Sequence, residues 1–488
     1  MANSNGWGDG AANNNIGWGQ GAVNNSINWG DAHAKSWAGA TDIVGQALDP
    51  AALAFITSTG ITNDLQKQAI NNLVVSLKGY GIWSKMKAVY PFVTDNRNLV
   101  SYSEDFSNAY WAKTNATISS NSTTAPNGTL TADTIMDNAN NNFHYIATGN
   151  SLGNNGNNTW SIYAKANTLN YLYLYFYNGS EPAGKTAWFN LSNGTVGTVQ
   201  SGITASIESV GNGWYRCSIT RNFNFTVALS NCGVGVSNGD NVASYIGSNQ
   251  SLFIWGAQVD AGSTATTYQP IATTQQAFIA NQFKYNLVNP VDSDAAFRLV
   301  FNGGWTHSAQ GATPNGTNGY ADTKLNPSLQ SGWISNNHMS FYSRTQTPSG
   351  GGWNIGVGNI FTGQPLFGLA AVRSANTALY DSGNFPSGRA SSTQTDGRAF
   401  WLGSCTASNV RKLIKNGILI NTNNTIDTNA ALSDFIYIGA MKDAGGGANY
   451  YMPQQAAFVS IGDGLTDTEA ANFYTAVQAY QTALSRQV

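Results

Sequence analysis

Four tyrosines alternate with apolar residues along the segment NYLYLYFYN, at residues 170–178. Because successive side chains of a β-strand point to opposite faces, Leu172, Leu174 and Phe176 are predicted to share one face and to lie in a core. The opposite face would carry Tyr171, Tyr173, Tyr175 and Tyr177. These tyrosines could form a second buried layer in which each hydroxyl finds a hydrogen-bond partner. Alternatively, they could form a shallow platform on which flat ligands such as sugar rings stack.

Further candidates for the same kind of binding follow in the next part of the chain: Trp188, Trp214 and Arg216. Aromatic faces combined with a few polar donors suit a flat, hydroxyl-rich ligand. Both tryptophans could equally belong to a core, and Arg216 could be an ordinary surface residue of a strand. A separate site at a loop end could use Trp305, His307, Tyr342 and Trp353.

Glycoside hydrolysis needs two carboxyl groups that face each other across roughly 5–10 Å. The acids available near the tyrosines are Glu104, Asp105, Glu181, Glu208 and Asp260. Glu104 and Asp105 are adjacent and suit cap or turn positions, and no spacing sets two acids across a cleft. The sequence therefore predicts no catalytic residues, and we expect the protein not to be an enzyme.

The sequence predicts neither a metal site nor a cofactor. Its three cysteines, Cys217, Cys232 and Cys405, include no Cys-x-x-Cys pair, so free thiols are expected instead of a zinc site or a disulfide framework. The four histidines are scattered along the chain. Calcium takes oxygen ligands, and Asp292, Asp294 and Asp443 could supply them, but they lack the spacing of a calcium-binding loop.

The composition is unusually poor in charge, with 10% charged residues in 488 and a net charge of −2. An average soluble protein has about 25%. Without a basic surface we expect no nucleic-acid partner. No apolar run approaches the roughly 18 residues of a membrane helix, so no membrane span is expected. The N-terminus lacks the features of a signal peptide, and we expect any extracellular role to follow release by another route, such as lysis.

Residues 98–270 contain short strand-like segments separated by turn residues, which predicts an all-β sandwich or jelly roll. The predicted strands are 160–166, 170–178, 187–191, 214–220, 227–236 and 252–259. From residue 295 to 462 the chain is again rich in strands, and Asn416-Gly417 predicts a type I′ hairpin turn. Helices are predicted at 65–77, from an apolar stripe, and after a capping box formed by Thr466 and Glu469.

Tryptophans recur every 11 residues near the N-terminus, at Trp7, Trp18 and Trp29. Glycine and asparagine are too frequent there for a helix, so a short extended unit with a turn per repeat fits better. One such unit cannot bury its tryptophan alone. We therefore expect the repeats in residues 1–35 to stack on one another, on other copies of the chain or on a partner. The alternative is a flexible polar arm.

Two sets of motifs resemble known phage domains. Residues 98–113 (NLVSYSEDFSNAYWAK), followed by TTAPNG at 123–128, resemble the opening of a carbohydrate-binding-module-like domain of bacteriophage fibres and head spikes. The ending expected for that domain is WGAQVDAGSTATTYQP at 255–270. The flanks, with YGIW at 80–83 and DAAFRLVF at 294–301, resemble a laminin-G or concanavalin A-like sandwich. The Gly-Trp-Gly repeats resemble the starts of virion proteins of phages that infect Bacteroidetes-type hosts.

The resemblance implies a mainly β protein with two antiparallel sandwiches, one inserted in the other. Residues 1–35 would be a virion anchor or assembly segment. Residues 36–94 and 273–488 would form the concanavalin A-like domain with its C-terminal helix, and 95–272 the inserted jelly roll.

The same resemblance implies a function. It indicates a head or tail fibre on the virion exterior, a homotrimer attached to other virion proteins through its N-terminus. Its partners would be host-surface or environmental glycans. The alternatives are a purely structural decoration protein without a ligand and a polysaccharide depolymerase.

Overall fold

The computed structural model describes residues 47–148, 156–177, 185–223, 231–346, 351–358, 365–373, 376–383 and 386–488. The assembly segment predicted at residues 1–35, with Trp7, Trp18 and Trp29, lies outside the described residues. The same holds for Glu181 and for the first part of the strand predicted at 227–236.

The described chain is mainly β, which confirms the predicted fold class. Its α-helices are α1 Pro50–Thr59, α2 Asp64–Gly79, α3 Gln275–Phe283 and α4 Asp467–Ala483. The strands between α2 and α3 are β1 Met86–Tyr90, β2 Trp111–Thr114, β3 Ala116–Thr123, β4 Ala132–Asp137, β5 Asn141–Phe143, β6 Tyr145–Thr148, β7 Gly156–Ala166, β8 Tyr171–Tyr177, β9 Lys185–Asn190, β10 Thr195–Val199, β11 Thr204–Gly211, β12 Trp214–Phe223, β13 Asn231–Ser237, β14 Ser244–Ile246 and β15 Ser251–Ala261. The strands between α3 and α4 are β16 Val300–Asn302, β17 Trp305–Ser308, β18 Gly311–Pro314, β19 Tyr320–Asp322, β20 Asn337–Ser343, β21 Ile355–Gly358, β22 Leu366–Arg373, β23 Thr377–Gly383, β24 Arg389–Thr393, β25 Ala399–Ala407, β26 Val410–Lys415, β27 Ile418–Asn423, β28 Tyr437–Ile438, β29 Met441–Lys442, β30 Ala448–Asn449 and β31 Ala456–Gly462.

Strands β2 to β15 build one sandwich of antiparallel sheets. Sheet I has the order β10-β9-β8-β13-β6-β2, and sheet II has the order β11-β12-β7-β15-β4-β3, while β5 and β14 pair with each other. The two sheets enclose a core in which Trp160, Leu174 and Cys217 are fully buried. The outer faces of both sheets are therefore available for side chains that do not serve this core.

The remaining strands build a second sandwich. Sheet III has the order β17-β18-β31-β20-β25-β26-β27, with β1 also paired to β31. Sheet IV has the order β16-β19-β28-β21-β22-β23-β24, with β29 joined to β21 and β30 to β29. Tyr90, Phe341 and Trp401 from sheet III meet Ile355 and Phe367 from sheet IV in a common core.

Three helices cover the outer face of sheet III, where Phe458 and Phe473 lie in their shared apolar cluster. The predicted helix at 65–77 is α2, and its N-cap Asn63 accepts a hydrogen bond from the Gln66 amide. The predicted C-terminal helix is α4, and both hydrogen bonds of the Thr466–Glu469 capping box are present. The type I′ turn is also confirmed, since Asn416 and Gly417 have φ angles of 50° and 73°.

The chain passes from the second sandwich into the first and back through two adjacent segments. Asp95, which is 3% exposed, lies where they meet. Its carboxylate accepts hydrogen bonds from the Thr62 amide and from the side-chain amides of Gln269 and Gln282. One buried acid thus joins the outgoing segment, the returning segment and α3. The domain boundaries at residues 95 and 272 stay a prediction.

Candidate aromatic binding groove

The alternation predicted for residues 170–178 is present in strand β8. Leu172, Leu174 and Phe176 lie in the core between sheets I and II. The four tyrosines therefore lie on the outer face of sheet I. Tyr173 is almost fully buried there, at 3% exposure, whereas Tyr171, Tyr175 and Tyr177 are half-buried.

Two glycines of the neighbouring strand β13 determine how the tyrosine rings lie. Gly233 pairs with Tyr175 and Gly235 pairs with Tyr173. A Cβ atom on Gly233 would lie 2.5 Å from the Tyr175 ring, and one on Gly235 would lie 2.1 Å from the Tyr173 ring. Carbon atoms in contact normally keep about 3.5–4.0 Å apart. The rings therefore occupy the space that side chains on β13 would otherwise fill, and they extend across the sheet.

The tyrosines join aromatic rings from neighbouring strands in one continuous row. The ring centroids of Trp188 and Tyr173 are 6.0 Å apart, and those of Tyr173 and Tyr175 are 6.3 Å apart. Tyr145 meets Tyr175 edge to face, at 5.6 Å and 86°. The Trp188 indole is held in place because its Nε1 donates to the Val242 carbonyl. Strands β9, β8 and β6 thus each contribute a ring to one surface.

This row borders a groove of about 650 Å³ on the outer face of sheet I. Six aromatic residues line it: Phe143, Tyr145, Tyr173, Tyr175, Tyr177 and Trp188. The polar residues of its lining are Thr186, Gln200 and Asn231. The size falls in the range of about 300–1,000 Å³ that is typical of ligand pockets.

The lining formed by the described residues is uncharged and keeps hydrogen-bonding capacity. Burial raises the pKa values of Tyr173 and Tyr175 above the usual range of tyrosine, so both hydroxyls stay protonated. Within the described part of the chain, the Tyr173 hydroxyl and the Asn231 Oδ1 atom have no hydrogen-bond partner. Buried polar atoms without partners are costly in a folded protein, so a ligand that satisfies them would be favoured. The groove therefore suits a neutral ligand with flat faces and hydroxyl groups.

The structure separates the residues that the sequence grouped as one candidate site. Tyr173, Tyr175, Tyr177 and Trp188 line the groove. Tyr171 lies on the same strand but is outside the lining, and its hydroxyl accepts a hydrogen bond from Asn190.

Trp214 and Arg216 lie on sheet II, so they do not contribute to the groove. Trp214 is 2% exposed, belongs with Trp255 to a small apolar cluster separate from the core between the sheets, and donates from its Nε1 to the Thr124 carbonyl. Arg216 lies on the outer face of sheet II, where its guanidinium donates to Thr266 and Ser161.

The other candidates of the second sandwich are dispersed. Trp305 stacks with His307 at 6.0 Å, and burial lowers the pKa of His307 to about 4. Tyr342 and Trp353 belong to two other apolar clusters, so the four residues form no common site. Asp292 forms ion pairs with Lys284 and Arg298, and Asp294 pairs with Arg298, so these two carboxylates are engaged by cations.

Sequence reasoning missed six of the ten residues that line the groove, namely Phe143, Tyr145, Thr186, Gln200, Asn231 and Ala243. Most of them come from separate segments of the chain and carry no local pattern of their own. One signal was present, because the motif Gly233-Val234-Gly235-Val236 places small residues on one face of a strand and core residues on the other. Such a strand leaves room for large rings from its neighbour.

No protein-family model matches the sequence, and no curated protein matches it. Several solved structures are similar to parts of the chain. The enzymatically active domain of tailspike protein 4 from bacteriophage CBA120 has 13% identity and a TM-score of 0.23, covering 33% of this chain and 21% of that domain. The xylan-binding domain CBM22-2 from Paenibacillus barcinonensis has 9% identity and a TM-score of 0.22, covering 34% of this chain and 98% of that domain. The Trypanosoma rangeli sialidase has 11% identity and a TM-score of 0.29, covering 70% of this chain and 60% of that enzyme.

These matches correct the prediction that the chain is not an enzyme. Two of the three structures, the tailspike domain and the sialidase, belong to enzymes. The prediction relied on the absence of two acids at a recognisable spacing in the sequence. Spacing cannot detect carboxylates that a fold brings together from distant strands, so the exclusion of catalysis is withdrawn. The TM-scores, all below 0.5, assign no reaction to this chain.

No helix in the described part of the chain combines the length and the apolar character that a membrane crossing requires.

Proposed function

We propose that the aromatic groove on sheet I binds an uncharged glycan. The observation that carries this proposal is the row of rings over Gly233 and Gly235, which presents aromatic faces across three strands. Sugar rings have apolar faces that pack on aromatic rings, while their hydroxyls both donate and accept hydrogen bonds. Beside those faces, Tyr173 and Asn231 supply polar atoms that have no partner within the described part of the chain.

The absence of charge from the lining narrows the ligand class. Among the described residues, the ten that surround the groove include no Asp, Glu, Lys or Arg. A carboxylate or sulfate on the ligand would lose its hydration without gaining a cation, which is costly. We therefore expect neutral polysaccharide chains to bind more tightly than acidic ones.

We also propose a setting for this groove. The motifs at residues 98–113 and 255–270 support an inserted carbohydrate-binding module in a phage head or tail fibre on the virion exterior. In this proposal residues 95–272 project from a concanavalin A-like domain built from 36–94 and 273–488. The tryptophan repeats at 1–35 would attach the protein to other virion proteins and hold a homotrimer together. A monomer in mass photometry of the full chain would contradict the trimer.

The proposal is tested by Tyr175→Ala, measured by calorimetry against neutral oligosaccharides of glucose, xylose, mannose, galactose and arabinose. We expect the affinity to fall by about tenfold or more, because a central aromatic contact is often worth about 2 kcal/mol. Tyr80→Ala is the matched control, since Tyr80 is 37% exposed and lies outside the groove at the end of α2.

Two results would contradict the proposal. The first is full binding by Tyr175→Ala, and the second is no binding of any oligosaccharide by the unaltered protein, as expected of a decoration protein without a ligand. The same samples are assayed for reducing sugar, since its release would show that the protein also cleaves what it binds.

A further inference from the structure

The outer face of sheet II carries a second groove, separated from the aromatic groove by the core between the two sheets. Its volume is about 320 Å³. Hydroxyl groups dominate the lining, which includes Thr159, Thr204, Ser206, Ser218, Thr220 and Ser263. Among the described residues of the lining, Glu208 and Arg216 are the charged ones, and none is aromatic.

The hydroxyls of this groove are held in register by strands β7, β11 and β12. Thr204 pairs with Thr220 and Ser206 pairs with Ser218 across β11 and β12. The Oγ atoms of Ser206 and Ser218 are 2.8 Å apart, so these hydroxyls hydrogen-bond to each other. Since such residues alternate with core residues along β12, the sheet presents an ordered row of donors and acceptors on its outer face.

Arg216 is fixed at one end of this row. Its guanidinium donates to the Thr266 carbonyl at 2.7 Å and to the Ser161 hydroxyl at 3.1 Å. It also lies over the Tyr163 ring, with 5.3 Å between the Cζ atom and the ring centroid. A guanidinium has five N–H donors. The Nε atom of Arg216 is buried and has no partner among the described residues, so the group keeps unused donor capacity.

Glu208 lies directly across the strand pair from Arg216, because their Cα atoms are partners in the β11–β12 register. The two side chains nevertheless form no ion pair, since Arg216 extends toward Thr266 and Ser161 instead. Glu208 is exposed. The groove thus holds one fixed donor group and one available carboxylate, whose charges cancel.

We propose that this groove is a second saccharide site, which recognises a short neutral sugar edge-on through its hydroxyls. Glu208 accepts a hydrogen bond from one sugar hydroxyl, and Arg216 donates to the oxygen of a neighbouring one. The serine and threonine hydroxyls contact the remaining ring oxygens. A neutral ligand keeps the cancellation of charge between Glu208 and Arg216, whereas an acidic sugar would place a second negative charge beside Glu208. This site does not depend on the aromatic groove.

The test uses Tyr175→Ala as the background, so that binding at the aromatic groove is weakened. Calorimetric titration with neutral trisaccharides of glucose, xylose, mannose, galactose and arabinose is compared with titration of trigalacturonic acid. We expect residual binding of at least one neutral trisaccharide. Glu208→Gln should reduce that binding by about tenfold or more, because a hydrogen bond to a charged carboxylate is stronger than one to a neutral amide.

Arg216→Lys is the second variant, since it retains the positive charge but loses the planar group that reaches both Thr266 and the groove. We expect it to weaken binding by a similar factor. Asp64→Asn is the matched control, because it removes one carboxylate from an exposed position on α2 and leaves both grooves intact.

Three outcomes would overturn the second site: no residual binding in the Tyr175→Ala background, unchanged binding in both groove variants, or tighter binding of trigalacturonic acid than of every neutral trisaccharide. Failure here is distinguishable from failure of the aromatic groove. If Tyr175→Ala alone leaves binding intact while Glu208→Gln abolishes it, the proposal that the aromatic groove binds the glycan is wrong and the proposal of the second site is supported.

Discussion

Two residues without side chains shape the aromatic groove. Gly233 and Gly235 alternate on β13 with Val234 and Val236, which are fully buried in the core. Between residues 233 and 236 the strand therefore contributes side-chain volume to the core face of sheet I and none to the outer face. This asymmetry leaves room for the rings of β8 to extend over β13, as they could not over a strand with side chains on both faces.

Gly235→Ala should displace the Tyr173 ring, because the added Cβ would lie 2.1 Å from it. We expect the free energy of unfolding to fall by about 1–3 kcal/mol, the usual cost of overpacking. Glycan binding should weaken as well, since Tyr173 lies between Trp188 and Tyr175 in the row. Urea denaturation and calorimetry measure the two effects.

Gly262→Ala serves as the control for this substitution, because a Cβ there meets nothing within 4 Å. The free energy of unfolding of the Gly262→Ala variant should differ from that of the unaltered protein by less than about 0.5 kcal/mol. An unchanged denaturation midpoint in Gly235→Ala would show that the rings do not depend on this glycine.

The alternation of tyrosines in β8 was enough to predict an aromatic face, because a period of two is a local property of a strand. It could not decide which of those tyrosines would be open to a ligand. That depends on the side chains of β13, more than fifty residues later in the chain. Trp214 and Arg216 were grouped with these tyrosines because their residue types suit the same kind of ligand. The sequence does not reveal that their strand, β12, belongs to the opposite sheet.

At the scale of elements, capping chemistry was the most informative signal for helices. It predicted α4 correctly, but α1 was missed. Asp49 caps α1 by accepting from the Ala51 amide, Pro50 occupies its first position, and Gly60 ends it with a φ of 69°. These are ordinary start and stop signals. The sequence between them is mostly apolar, so it lacks the stripe that marks a helix with one exposed face.

An ion pair at sheet III fixes the segment that follows β27. Arg411 of β26 and Asp427 are both fully buried, and 3.0 Å separates their charged atoms. Asp427→Asn would leave the Arg411 cation buried without its counter-charge. We expect a loss of about 3–5 kcal/mol in the free energy of unfolding, measured by chemical denaturation.

The exposed pair between Arg398 and Asp396 is the matched control, because its side chains are 51% and 38% exposed. Asp396→Asn should cost no more than about 1 kcal/mol. Equal losses in the two variants would mean that burial of the Arg411–Asp427 pair does not determine its contribution.

At the scale of the whole molecule, the apolar clusters divide along the chain. The core between sheets I and II contains residues from 99 to 259, and the small cluster around Trp255 contains residues from 125 to 268. The three other clusters draw on residues up to 93 and from 278 onward. Among the described residues, no apolar cluster therefore contains side chains from both sandwiches. Motifs on either side of the insertion made this arrangement predictable, although the buried Asp95 junction was not.

This division predicts that the two sandwiches fold separately. The segments entering and leaving sheets I and II lie side by side, since the Ser103 amide donates to the Ile271 carbonyl at 2.9 Å. A chain in which Gly-Gly-Ser replaces residues 96–271 should therefore close without strain. We expect it to keep a single cooperative thermal transition, and Asp95 keeps Thr62 and Gln282 as partners. Residues 95–272 expressed alone should also unfold cooperatively and bind the same neutral oligosaccharides as the full chain.

Circular dichroism and calorimetry measure both pieces, and the Tyr175→Ala form of the isolated insert controls for non-specific binding. If either piece fails to unfold cooperatively while the full chain does, the insertion is wrong as described, and the contacts around Asp95 must be part of one shared folding unit. If both pieces fold but the insert binds no oligosaccharide, the second sandwich must contribute to recognition.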